Sequence, residues 1–96
     1  MGEIYFGHFR AVVMQHINEI DVQNPDTEST EWFLLKYLRR IEKNANQPAS
    51  ATAIENSVRA LIRFYIDNID EHSPLGDRCI RVYQEYQKTM RTGKQE

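Results

Sequence analysis

The chain contains few of the residues from which common kinds of site are built. Its 96 residues include a single cysteine, Cys79, together with only four glycines and three prolines. One cysteine excludes a disulfide within the chain and suits a reducing compartment, so we expect a cytoplasmic protein. The glycines are scattered and form no phosphate-cradling loop, so no nucleotide cofactor is expected.

Long apolar runs and an excess of basic charge are also missing. No apolar stretch approaches the roughly 20 residues that a membrane-spanning helix needs, so no membrane association is expected. The chain carries 12 basic and 14 acidic residues, a formal net charge of −2. Proteins that bind nucleic acid or charged membrane surfaces without sequence specificity are usually basic, so the composition disfavours both classes.

What the chain does have is a helical spacing of apolar residues from end to end. Apolar side chains recur at steps of three and four and form four stripes: Phe6, Phe9, Val13, Ile17 and Ile20; Leu34, Leu35, Leu38, Ile41 and Ala45; Ile54, Val58, Leu61, Tyr65 and Ile69; and Cys79, Val82, Tyr83, Tyr86 and Met90. They predict helices at about residues 3–21, 26–44, 52–69 and 74–91. We expect one all-α domain over residues 1–91, a four-helix antiparallel bundle or an orthogonal four-helix variant, followed by a flexible tail, 92–96.

Local signals at the helix starts support these bounds. The dipeptides Asn24-Pro25 and Ser73-Pro74 resemble a capping residue followed by proline at the first helical position. Thr52 and Glu55 have the spacing of a capping box, although Ser50 is a rival cap. Net charge alternates between consecutive quarters of the chain, acidic then basic, which favours sequential antiparallel neighbours.

The segment Asn68–Cys79, NIDEHSPLGDRC, concentrates reactive residue types and is the candidate for metal or catalytic chemistry. Its spacing matches no recognised zinc or calcium motif. Cys79 lies on the fourth apolar stripe, which favours a core role over that of a nucleophile. We therefore expect no metal and no enzyme activity, and leave the acidic and histidine residues Asp70, Glu71 and His72 without a role.

Basic residues on two of the predicted helices make DNA binding the alternative function. A helix-turn-helix protein needs a short turn and an exposed polar recognition helix, and the connection before the fourth helix is the shorter candidate. The candidate nucleic-acid residues are Lys36, Arg39, Arg40, Lys43, Arg78 and Arg81.

Surplus aromatic residues point to a different function. Trp32 and Phe33 project away from the Leu34/Leu38/Ile41 stripe, and Phe64 is left out of the third stripe. Such residues either bind a partner, because aromatic anchors are typical of interface cores, or close one end of the bundle as a lid. We expect a small non-enzymatic interaction module, regulatory or adaptor in type and acting as a homodimer, whose partner-binding residues are Trp32, Phe33 and Phe64.

Overall fold

The computed structural model describes residues 5–46 and 50–94, the last three of these by their backbone alone. Four helices make up the fold: α1 (Gly7–Asp21), α2 (Thr30–Ala45), α3 (Ala51–Asn68) and α4 (Pro74–Lys94). Helices α1 and α3 each pack against both α2 and α4, so α2 and α4 lie diagonally across the bundle. The predicted all-α four-helix bundle is confirmed.

Neighbouring helices run antiparallel, as contacts between α1 and α4 illustrate. Glu19, near the end of α1, pairs with Arg78 near the start of α4. His8, near the start of α1, lies 3.4 Å from Glu85 farther along α4. Within residues 5–46 and 50–94, no helix is both long enough and apolar enough to cross a lipid bilayer.

The core forms where the four predicted stripes meet. The stripes of α1 and α2 are buried throughout, and the remaining buried apolar residues are Ile54, Val58, Leu61, Cys79 and Val82. Others from the predicted stripes pack partly buried against this core: Tyr65, Ile69, Tyr86 and Met90. The prediction that Tyr83 belongs to the core stripe of α4 is wrong, because this residue is 37% exposed. It lies about 100° around α4 from Val82, at the edge of the stripe and beside α3.

Two predicted helix starts, those of α2 and α3, differ from the structure, and local geometry explains both. Within the described residues, α1 begins at Gly7. Phe6 has φ −101° and ψ 9°, so α1 begins after it, and its carbonyl accepts from the Arg10 amide. Asn24 does not cap α2, because it adopts a left-handed conformation with φ 51°. The cap is Ser29, whose hydroxyl accepts from the Trp32 amide at 3.2 Å. For α3 the rival candidate Ser50 is the cap.

The start of α4 is as predicted, and its end is not. The Ser73 hydroxyl accepts from the Gly76 amide at 3.0 Å, and Pro74 is the first helical residue. The helix continues to Lys94, into the segment expected to be a flexible tail, since no proline interrupts it there. The predicted start at residue 3, the break at Pro48 and the last two residues of the tail lie outside the described residues.

Candidate partner-binding site

Four aromatic side chains form a continuous row where α2 lies beside α3. The aromatic row consists of Trp32, Phe33 and Tyr37 on α2 and Phe64 on α3. The ring centroids of Trp32 and Phe33 are 5.0 Å apart with nearly perpendicular planes, and those of Phe33 and Phe64 are 6.3 Å apart. Phe64 and Tyr37 stack with centroids 4.8 Å apart. Offset and edge-on ring pairs attract one another, so each ring helps to hold its neighbour in place.

The fold thus brings together all three residues predicted to bind a partner. Trp32 and Phe33 come from the first turn of α2, whereas Phe64 comes from the last part of α3, and the antiparallel arrangement places them at one end of the bundle. Sequence reasoning missed Tyr37. Its signal was the spacing of four from Phe33, which puts both residues on one side of α2.

The row is neither core nor fully solvated surface, because all four of its residues are half-buried. Tyr37 and Phe64 pack against the core, and Phe33 and Trp32 continue the row from Phe64. The inner half of the row therefore resembles a lid over the core. Its remaining surface is open to solvent and available to a partner.

Two exposed cations border the row on α2. The Lys36 ammonium lies 5.0 Å from the centroid of the Trp32 ring, a distance at which the ring face attracts a cation. Arg40 follows one turn later on the same exposed side of the helix. Among the described residues, neither cation forms a salt bridge with a carboxylate. The outer side of α2 beside the row therefore carries aromatic rings and positive charge.

The six candidate nucleic-acid residues do not form one surface. Lys36, Arg39, Arg40 and Lys43 lie on α2, whereas Arg78 and Arg81 lie on α4, diagonally across the bundle. Three of the six pair with acids, Arg39 with Asp21, Arg78 with Glu19 and Arg81 with Asp77. Lys36, Arg40 and Lys43 remain as an exposed basic face of α2.

A polar cluster that the sequence did not predict joins α1 to α4. Arg78 donates to Glu19 and approaches Nδ1 of His16 at 2.9 Å. Burial and the neighbouring Arg78 guanidinium lower the pKa of His16 below its usual value. The hydrogen bond from Arg78 lowers the pKa of Glu19. Because these contacts join residues far apart in the chain, spacing alone gives no sign of them.

The residues Asp70, Glu71 and His72 form a turn. The Asp70 carboxylate accepts from the His72 amide at 3.0 Å, and the Ser73 hydroxyl donates to the Asp70 carbonyl at 2.6 Å. Gly76 packs against this turn so closely that a methyl group there would lie 2.4 Å from the Asp70 carbonyl oxygen. The side chains of Glu71 and His72 are mostly exposed, 3.4 Å apart. These contacts give the segment a structural role as the corner between α3 and α4.

Cys79 is separate from that turn. It is 1% exposed, as its place on the fourth stripe predicted, and burial raises the pKa of its thiol to about 12. A thiol with this pKa is a poor nucleophile at neutral pH, since the thiolate is the reactive form. Over the part of the chain that the structure describes, no three histidine, cysteine, aspartate or glutamate side chains are grouped so that they could hold a metal ion.

Comparison of the chain with protein-family models, with curated proteins and with solved structures finds no match.

Proposed function

We propose that this protein is a non-enzymatic helical interaction module that binds a protein partner through the aromatic row. The observation that carries the proposal is the meeting of Trp32, Phe33 and Phe64, all outside the core stripes, in one half-buried row. Bound partners commonly cover a small cluster of aromatic anchors that dominates the binding energy. A regulatory or adaptor role in the cytoplasm, as a homodimer, is part of the same proposal.

The packing of the row also suits a binding role. Each ring contacts a neighbouring ring, and Tyr37 and Phe64 rest on the core, so the row is largely ordered before a partner arrives. A preordered surface loses little side-chain entropy on binding, which leaves more of the contact energy for affinity.

Charge beside the row indicates the chemistry of the partner. Lys36 lies over Trp32, Arg40 is exposed one turn later on α2, and both lack carboxylate partners among the described residues. A partner segment with an apolar anchor and adjacent acidic residues matches this surface. A second copy bound row to row would place these cations near their own counterparts, which is unfavourable.

The sole tryptophan of the chain lies in the row, so its fluorescence reports directly on the proposed site. Peptides selected from a display library enriched in aromatic and acidic residues should shift the Trp32 emission to shorter wavelength as they cover the ring. Their binding should weaken as salt is added, because exposed charge pairs are screened.

A double variant, Phe33→Ala with Phe64→Ala, tests the row while keeping Trp32 as the reporter. Peptide affinity should fall about tenfold or more, as expected for central anchors. Tyr83→Ala is the matched control, because it removes a partly exposed ring from α4. Unchanged affinity in the double variant would contradict the proposal, and loss of helicity in circular dichroism would assign the row to the lid role.

Nucleic-acid binding is the second candidate, and one observation favours it. Lys36, Arg40 and Lys43 form an exposed basic face of α2 beside aromatic rings. Proteins that bind single-stranded nucleic acid also combine basic and aromatic side chains in this way. The acidic net charge of the chain and the ion pairs of the other candidate arginines place it second.

A further inference from the structure

A groove of about 870 Å³ runs along the outer surface between α3 and α4. Its larger apolar lining residues are Val58, Ile62 and Ile66 on α3 and Tyr83 and Tyr86 on α4. Val58 belongs to the core and Ile62 and Tyr86 pack against it, so the floor of the groove is continuous with the protein interior. The α3–α4 face, made of this groove and its rim, is distinct from the aromatic row.

Ile66 is the unusual residue of this face. Its side chain is 71% exposed, whereas the other large apolar residues exposed within the described helices, Met14 and Tyr83, are each 37% exposed. An aliphatic side chain that stands out beside an apolar groove gains stability when another surface removes it from water. A surface carrying both a protruding Ile66 and a groove is complementary to itself.

The two faces of α3 explain why this surface and the aromatic row do not merge. Ile66 and Phe64 are two residues apart, which places them about 200° apart around the helix. Phe64 accordingly contacts α2 through Tyr37, and Ile66 lines the groove beside α4. Arg63 lies between them on the solvent side of α3 and also lines the groove.

The charges on the rim are complementary under a two-fold axis. Arg63 and Asp67 are one turn apart on α3, both are exposed, and neither forms an ion pair with another described residue. If two copies of α3 pack antiparallel about an axis between these positions, Arg63 of each copy faces Asp67 of the other. Two-fold contacts always occur in such reciprocal pairs.

Charge also selects this register over another. An axis four residues earlier on α3 would bring Arg59 opposite Arg63 and Glu55 opposite Asp67, so that like charges meet. Arg59 is already paired with Glu55 at 2.7 Å within its own helix. Arg63 and Asp67 are therefore the pair that a second copy can satisfy.

We infer that a second copy of this chain binds the α3–α4 face, with Ile66 of each copy in the groove of the other. The two reciprocal Arg63–Asp67 pairs fix the register. This inference goes beyond the proposed function, because it assigns self-association to a surface other than the aromatic row and leaves that row open.

Charge reversal gives a test with an internal rescue. Wild-type protein should form a dimer by sedimentation equilibrium at micromolar concentration. Arg63→Asp leaves only acids at the two positions and Asp67→Arg leaves only bases, so each variant alone should dimerise about tenfold more weakly or worse, since like charges meet. An equimolar mixture of the two variants should restore dimerisation, because every pair across the axis is again of opposite sign.

One control and two further measurements separate this face from the rest of the molecule. Arg40→Asp makes the same charge change on α2 and should dimerise as the wild type does. Ile66→Ala should weaken the dimer while leaving monomer helicity unchanged, since the side chain is mostly exposed in the single chain. Trp32 emission should stay constant as the dimer is diluted into monomers.

Several results would overturn the inference. A wild-type protein that stays monomeric at high micromolar concentration would do so, as would failure of the mixed variants to restore the dimer. If Arg63→Asp, Asp67→Arg and Ile66→Ala all leave the dimer unchanged, self-association occurs through another surface. The same follows if dissociation of the dimer shifts the Trp32 emission.

Discussion

The contact between Arg78 and His16 determines the protonation state of the histidine. A guanidinium can only donate a hydrogen bond, so Nδ1 of His16, 2.9 Å away, must accept. The ring is therefore neutral, with its proton on the other nitrogen. Burial, the nearby Arg78 and, less strongly, Arg81 lower the pKa of His16, against the opposing effect of Glu19 and Asp77. Protonation would place a cation against a cation in the α1–α4 contact.

The stability of the fold should consequently fall as this histidine becomes protonated. The unfolded chain binds the proton at the usual pKa of about 6.5, and the folded chain only at a lower pH. The contribution of His16 to the free energy of unfolding is thus at its full value well above pH 6.5 and decreases as pH falls through the interval below it.

Denaturant unfolding at about pH 7.5 and about pH 5.5 measures this dependence. His16→Gln should reduce the difference between the two values. Equal pH dependence in the wild type and His16→Gln would contradict this account of the His16–Arg78 contact.

At the scale of the helices, apolar spacing predicted the elements well and their starts less well. The stripes placed the core residues of α1 and α2 without error, since burial of one helix face is a periodic property that the sequence carries. The start of α2 was predicted four residues early. The left-handed conformations of Asn24 and Glu28, with φ 51° and 68°, extend the turn before that helix, and neither residue type requires them.

For the candidate site, the sequence predicted the residues but not all of their contacts. Trp32, Phe33 and Phe64 could be selected because they fall outside the stripes, and the antiparallel order of α2 and α3 placed them together. What spacing could not provide was contact between distant residues. The stacking of Tyr37 on Phe64 and the Arg78–His16 contact depend on how the helices are rotated about their axes.

Ser29 is the residue on which the observed start of α2 depends. Ser29→Ala removes the acceptor for the Trp32 amide and should lower the free energy of unfolding by about 1 kcal/mol. Thr52→Ala is a suitable comparison, because Thr52 is an exposed hydroxyl residue near the start of α3 that does not cap it. Chemical denaturation of both variants gives the two values, and a loss at Thr52 as large as that at Ser29 would contradict the assigned caps.

At the scale of the whole molecule, charge is distributed so that neighbouring helices attract. The acidic residues Asp21 and Glu19 of α1 pair with Arg39 of α2 and Arg78 of α4, as the alternating charge of the chain predicted. In the pair of Arg10 with Glu42, at 2.6 Å, the charges are reversed: α1 supplies the base and α2 the acid. Exposed pairs of this kind stabilise the fold little, but they disfavour other arrangements of the helices.

Among the six candidate nucleic-acid residues, this use of arginine leaves Lys36, Arg40 and Lys43, on one face of α2, without an ion pair to any described residue. The protein should therefore not shift mixed-sequence single-stranded or duplex DNA in an electrophoretic mobility assay at about 50 mM salt. Phosphate contacts are stronger at this low salt concentration than at physiological salt. A shift that is lost when Lys36 and Arg40 are replaced by glutamate would instead favour nucleic-acid binding. Binding of the selected peptides to the same double variant should also be measured. It shows whether these two cations are needed for an acidic protein partner as well as for DNA.

The position of Phe64 and Ile66 on opposite sides of α3 has a consequence for affinity. A dimer joined through the α3–α4 face would leave both aromatic rows uncovered, and the assembly would be bivalent. A partner with two copies of the recognised segment would then bind the second row at the high local concentration that its linker imposes. Weak single contacts could in this way add up to tight attachment to a repetitive or oligomeric target, and a monomeric target would be released quickly.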